Sequence, residues 1–268
     1  MRPDCLVLVT GSGTGVGKTW VAAALAATWR AGGATVAARK PVLSFDPAHA
    51  SGGDDAADSG SGVGYAGPIG AAAGASGAGG TGAGAGASGT AGAGAMGPSA
   101  SAGASAAEGA TDDEVLAAAT GERPGDVCPE HRRYPLAMAP PVAAAALGRP
   151  AFTVAELAGE LRWPPGPAVR YGLVEGVGGP RSPLAADGDT VTLIELLEPD
   201  HVVLVAGAGL GAINAVLLAA ASLAPVRPVV LLNHFDESDR THAGNALWLR
   251  EHTDLTVTSS VATLAPFL

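Results

Sequence analysis

Short apolar runs, each stopped by a glycine- or proline-rich turn and followed by an alanine- or leucine-rich stretch, set the rhythm of the chain. Residues 5–10 read CLVLVT, which predicts a buried strand by its length and β-branched content. Residues 19–31 then read as a helix rich in alanine and ended by Gly32-Gly33. The same test predicts further strands over 35–39, 171–175, 201–206, 228–233 and 255–258. Helices are expected over 114–119, 142–147, 154–162, 214–223 and 241–251, and no closing helix is read between Thr258 and Leu268. Strands alternate with helices, so the pattern predicts an α/β fold: a doubly wound, mostly parallel sheet with helices on both faces.

One segment departs from this rhythm. From 66 to 110 the chain is nearly all Gly, Ala and Ser, and Glu108 is its only charge. With so few large apolar side chains, such a tract cannot bury enough surface to offset its ordering entropy. It is therefore expected to be a flexible, disordered insertion over 46–110 within one phosphate-loop α/β domain spanning 1–268. The insertion also distorts the composition. The 268 residues are 47% hydrophobic, which supports a sizeable core, and only 15% charged. A formal charge of −10 argues against nucleic-acid or anionic-membrane partners. Cys5 and Cys128 are far apart and show no metal-ligand spacing, which points to free thiols. No apolar run is long enough to span a membrane, and Met1-Arg2-Pro3-Asp4 leads straight into a strand, so a cytoplasmic location is expected.

The chemistry collects where strands end. Gly11-Ser12-Gly13-Thr14-Gly15-Val16-Gly17-Lys18-Thr19 lies between a predicted strand and a predicted helix, the setting of a phosphate loop. Its glycines let backbone N–H groups turn toward phosphate oxygens, and the helix N-terminus adds partial positive charge. Lys18 can reach the β- and γ-phosphates, and the Thr19 hydroxyl can ligate magnesium. The first glycine of the strict spacing is replaced by Ser12, and Gly11 supplies it one residue earlier, so the loop is a variant. Lys40, in Lys40-Pro41-Val42-Leu43-Ser44, closes the second strand beside that loop. Glu175 closes another apolar strand, where a hard carboxylate suits magnesium. Thr111-Asp112-Asp113-Glu114 opens a helix. Asn233 ends a further strand, where its amide can pair with a base edge or simply shape a turn. None of the histidines sits at ligand spacing, and Trp29, Trp163 and Trp248 are most simply packing residues.

Taken together, these sites resemble the dethiobiotin synthetase family. Gly11 to Thr19 follows that family's G-T-x-T-x-V-G-K-T loop except at Ser12. Lys40 to Ser44 follows K-P-V-x-[ST], Val174 to Gly179 follows V-E-G-x-G-G, and Leu210-Gly211-Ala212-Ile213-Asn214 follows L-G-x-[IL]-N. Tyr134-Pro135 and Met138-Ala139-Pro140 resemble a further family segment. The resemblance implies a Mg2+- and ATP-dependent ligase that makes dethiobiotin from 7,8-diaminononanoate and CO2. Carried over by position, Lys18 and Lys40 would be catalytic, and Thr19, Asp112 and Glu175 would hold Mg2+, with Asp113 the rival to Asp112. Gly13, Thr14, Gly15, Val16, Gly17, Lys18, Thr19 and Asn233 would bind the nucleotide. Thr14, Lys40, Ser44 and Gly178 would bind the diamine or its carbamate. The family is homodimeric, so a homodimer is expected.

The chain also departs from the family. Phe45 replaces a usual glycine beside the expected diamine site, Pro180-Arg181-Ser182-Pro183 stands where many members are apolar, and the C-terminus is short. These departures keep open a relative that acts on another amine. A non-catalytic nucleotide-binding relative is opposed by the retention of Lys18, Thr19, Lys40 and Glu175. A partitioning-type ATPase switch is opposed by the lack of a lysine early in the loop.

Overall fold

The computed structural model describes residues 1–50, 109–166 and 168–268. The expected flexible insertion therefore lies largely outside the described residues. At its predicted start, Pro47–Ala50 forms one helical turn.

Six strands form one parallel sheet: β1 (Cys5–Gly11), β2 (Val36–Arg39), β3 (Tyr171–Glu175), β4 (His201–Gly207), β5 (Val229–Asn233) and β6 (Thr256–Thr258). They lie in the order β6-β5-β4-β1-β3-β2. Every neighbouring pair is parallel. The strands are apolar because both faces are covered. On β1, Val7 and Val9 face one side, where α1 (Lys18–Ala31) and α2 (Asp112–Thr120) pack through Val21, Leu25, Trp29 and Leu116. Leu6 and Leu8 face the other side, against α3 (Pro140–Ala146), α4 (Val154–Glu160) and α5 (Thr190–Leu197). On that second face, Leu204, Ala206, Val230 and Leu232 pack under α6 (Ala212–Leu223) and α7 (Arg240–His252). The sheet is thus doubly wound, as the alternation of elements predicts. Trp29 stacks on Tyr171, with centroids 4.3 Å apart, and fastens α1 to the sheet.

The structure corrects the sequence reading in three places. Helix α5 carries no prediction because Thr190, Val191, Thr192 and Ile194 are β-branched, which masks its helical character. It forms because the Asp189 carboxylate accepts hydrogen bonds from Val191 and Thr192 N–H and because Leu193 and Ile194 are buried. The C-terminal segment is not free of helix. Val261–Leu264 forms a turn capped by the Ser260 hydroxyl and buries Leu264 in the α1 face. Trp248 packs less than expected: it is 37% exposed and stacks on His252 rather than on the core. Trp163 is partly buried and lies under the Arg39 guanidinium, 5.0 Å from its ring centre. Among the described residues, no helix is long and apolar enough to cross a membrane.

Leu25 of α1 is fully buried, whereas Leu218 on α6 is 64% exposed. Leu25→Ala is expected to cost about 2–5 kcal/mol of stability, and Leu218→Ala about 0.5 kcal/mol or less, in urea unfolding of the two variants. Equal losses at both positions would mean that the α6 face is covered in solution.

Candidate functional site

The first element of the site is the turn after β1. Gly11 ends the strand, and a Cβ there would lie 2.8 Å from Val16 Cγ2 and 3.1 Å from Lys18 Cδ, so the loop can double back only past a glycine. Ser12 N–H donates to the Val205 carbonyl at 2.8 Å, which holds the turn against β4. Gly17 adopts φ +86° as the N-cap of α1. No side chain caps that helix, and no acidic residue lies in its first turn. The N–H groups of the first turn therefore remain available to an anion, and the helix dipole favours one. Lys18 bends back over the loop, and its Nζ donates to the Gly13 carbonyl at 2.9 Å.

Strand register supplies the second element. Arg39 of β2 pairs with Val174 of β3, so the next residues along, Lys40 and Glu175, come side by side. Lys40 Nζ donates to Glu175 Oε1 at 2.6 Å and lies 2.8 Å from Asp112 Oδ2. It also donates to the Gly176 carbonyl at 3.3 Å. Thr19 Oγ1 lies 2.8 Å from Asp112 Oδ1 and 2.9 Å from Glu175 Oε1. Four segments far apart in sequence, carrying Thr19, Lys40, Asp112 and Glu175, thus meet around one ammonium and one hydroxyl.

The charges are strongly coupled. Burial alone would lower the Lys40 pKa, but Asp112 and Glu175 outweigh it and hold Lys40 above the ordinary lysine value, so it stays charged. Burial opposes ionisation of Asp112 too, yet Lys40, with help from the Thr19 hydroxyl, holds its carboxyl below the usual range. Burial pushes the Glu175 carboxyl up, and Lys40 offsets only part of that rise. Lys18 is pushed down by burial and by Lys40.

These side chains line a cavity of about 600 Å3. Thr14, Gly15, Gly17, Lys18, Thr19, Lys40, Ser44, Asp112, Glu175 and Gly178 all contribute to its wall. Ser44 Oγ donates to the Met138 carbonyl at 2.6 Å. Gly178 takes φ +57°, and a Cβ there would lie 2.4 Å from Ser182 Oγ. Leu43, Met138, Ala139 and Ser182 also line the cavity, although no single-residue signal in the sequence assigns them.

Gly13, Val16 and Asn233 are not among the residues of this wall. The Gly13 and Val16 carbonyls accept from Lys18 and Asn233. Asn233 is absent from this cavity wall: its Nδ2 donates to the Val16 carbonyl at 3.0 Å and would lie 2.1 Å from a Cβ at Gly17. This bond ties the end of β5 to the phosphate loop. Of the two adjacent aspartates, Asp112 enters the cavity, while Asp113 is fully buried and accepts from the Thr111 hydroxyl. Phe45 does not line the cavity, because its ring lies against the Arg133 guanidinium. Arg181 also points away, paired with Asp189 at 3.2 Å. Of the two departures from the family pattern nearest the expected diamine site, Phe45 stands outside this wall, whereas Pro180-Arg181-Ser182-Pro183 contributes Ser182 and Pro183 to it.

The donor set fits a hard divalent cation. Glu175 Oε2 is buried and accepts no hydrogen bond, and two carboxylates with a hydroxyl are the small protein share that magnesium takes when phosphate and water oxygens complete its shell. Among the described residues, no group of three or more His, Cys, Asp or Glu side chains forms a fuller cage.

If Asn233 is a brace, Asn233→Ala should weaken ATP, ADP and GTP alike, by about five- to tenfold each, the worth of roughly one hydrogen bond. Titrations with fluorescent nucleotides test this, and a loss confined to adenine nucleotides would assign Asn233 to the base edge.

No protein-family model matches the chain. No curated protein matches it. Among solved structures, the chain is similar to the signal recognition particle receptor FtsY from Elizabethkingia anophelis, at 12% identity and a TM-score of 0.40. That match covers 95% of this chain and 57% of the receptor chain, so the chain spans little more than half the receptor's length. The strand order and the turn after β1 carry the fold assignment: a phosphate-loop α/β protein, whose architecture suggests nucleotide binding.

Proposed function

We propose that the chain is an ATP-dependent cyclo-ligase of the dethiobiotin synthetase type, closing a cyclic urea from 7,8-diaminononanoate and CO2. The observation that carries this reading is Lys40. A phosphate loop alone accounts for Lys18 and Thr19. It does not call for a second buried lysine, delivered by the neighbouring strand between Glu175 and Asp112 and facing the same cavity as Ser44 and Gly178.

The chemistry runs in three balanced steps. One substrate amine adds to CO2 and loses a proton, giving a carbamate. A carbamate oxygen attacks the γ-phosphorus of ATP as the bond to the bridging β–γ oxygen breaks, giving ADP and a carbamic–phosphoric anhydride. The second amine attacks the carbamoyl carbon, phosphate leaves with the C–O bond electrons, and the attacking nitrogen loses its proton as the ring closes.

For the residues this is mostly positioning and charge. Lys18 leaves the Gly13 carbonyl to meet the β- and γ-phosphate oxygens. Lys40 neutralises carbamate charge at the start and γ-phosphoryl charge as it develops. The loop N–H groups hold the phosphates, and the Thr14 and Ser44 hydroxyls orient the diamine or carbamate. Bound Mg2+, held by Thr19, Asp112 and Glu175, would offset phosphate charge. The homodimer and the cytoplasmic location belong to the same proposal.

The test is phosphate release by purified protein with MgATP and bicarbonate, with and without 7,8-diaminononanoate, together with a mass measurement for dethiobiotin. Diamine-dependent release with that product is expected. Lys18→Ala and Lys40→Ala should each lower kcat by about a hundredfold or more, as loss of a preorganised charge at a transition state does. Phosphate release indifferent to the diamine, without product, would overturn the reading.

A further inference from the structure

Phe45 and Arg133 have no part in the steps above, yet they stand against the start of α2, where Asp112 enters the site. The geometry points to a positioning clamp, Phe45–Arg133–Asp113, that fixes the first turn of α2 and so aims Asp112 at Thr19 and Lys40. This inference rests on the proposed reading of Asp112 as a magnesium ligand.

Two adjacent residues on one helical turn point about 100° apart. Holding one of them therefore orients the other. Asp113 is fully buried; its Oδ1 accepts from Thr111 Oγ1 at 2.6 Å, and its Oδ2 accepts no hydrogen bond. The cation facing Oδ2 is Arg133, with Nη1 at 3.5 Å. A buried carboxylate without a counter-charge is costly, so the Arg133 guanidinium sets where Asp113 can rest. Arg133 Nη2 also donates to Thr111 Oγ1 at 3.4 Å, and Glu130 lies 3.7 Å from Nη1 at the exposed rim.

The guanidinium is itself held in place. Its Cζ lies 5.5 Å from the centre of the Phe45 ring, a cation–π distance. Arg133 pairs with Leu43, and Tyr134 with Ser44, in a short parallel ribbon, and Phe45 N–H donates to the Tyr134 carbonyl at 3.0 Å. Arg149 Nη1 donates to the Arg133 carbonyl at 2.7 Å. One stack thus ties the Ser44 wall of the cavity to the Asp112 wall. A glycine at position 45 would remove the platform under Arg133.

The test reads magnesium rather than turnover. A fluorescent ATP analogue is titrated onto the full chain, with EDTA and then across a Mg2+ series. Arg133→Ala should raise the Mg2+ concentration for half-maximal tightening by about tenfold or more, the usual effect of losing support behind a metal ligand. Binding in EDTA should stay as it was, and Arg133→Lys should recover part of the loss. Phe45→Gly keeps the Arg133–Asp113 charge pair, so it should fold where Arg133→Ala does not, and it should shift the Mg2+ response in the same direction. Adding Arg133→Ala to Asp112→Asn should cost nothing beyond Asp112→Asn alone. An unchanged Mg2+ response in a folded Phe45→Gly or Arg133→Ala variant, or an additive loss in the double variant, would overturn the clamp. If Asp112→Asn itself leaves the Mg2+ response intact, Asp112 is not a ligand, and the clamp falls with that part of the proposed function. The measurement needs no diamine, so a failure of the ligase chemistry alone leaves it readable.

Discussion

The Lys40 ammonium, nearly sealed from solvent and held between the carboxylates of Glu175 and Asp112, constrains the rest of the site. An unpaired buried charge costs on the order of several kcal/mol even after the protein relaxes around it. The ends of β2 and β3 and the start of α2 must therefore come together, or the lysine cannot be buried at all. The same closure draws the Thr19 hydroxyl between the two carboxylates. It leaves Glu175 Oε2 buried without a hydrogen bond.

The phosphate loop is rigid for a different reason. Its path is set by steric exclusion at Gly11, by the left-handed backbone of Gly17, and by bonds from two other strands: Val205 of β4 accepts from Ser12, and Asn233 of β5 donates to Val16. Donors held in place before a ligand arrives need no reorganisation when charge develops, and that is the main lever available in phosphoryl transfer. Lys18 is held from within the loop. Its bond to the Gly13 carbonyl is local, and burial together with Lys40 weakens its hold on a proton.

The position of the site follows from the winding of the sheet. The chain runs from β1 out to β2, returns to place β3 between them, and then continues on the other side of β1. The crevice at that reversal is where ligands enter open α/β sheets, because the loops diverge there and leave space over the strand ends. Lys18, Lys40 and Glu175 follow the carboxyl ends of β1 and β2 or end β3, so one topological fact places all three. Asp112 comes from outside the sheet, which is why its orientation needs support of its own.

Much of this was legible in the sequence alone. Apolar runs of strand length marked all six strands of the sheet, since strands buried on both faces must be apolar throughout. Gly11 to Thr19 announced a phosphate loop, because few residues other than glycine tolerate so tight a turn. Lys40 and Glu175 stood out as charges at the ends of apolar strands. Other features were decided only in three dimensions. Asp112 and Asp113 are indistinguishable as text, and burial beside Arg133 separates them. Asn233 ends a strand as a turn residue does, and only the fold brings its amide to Val16, 217 positions away. Phe45 reads as an obstruction to substrate until the ribbon with Arg133 turns its ring aside. Local pattern reports what a residue needs, burial or a turn or a counter-charge, while the partner that meets the need is set by strand order and register, which join positions that no sequence window spans.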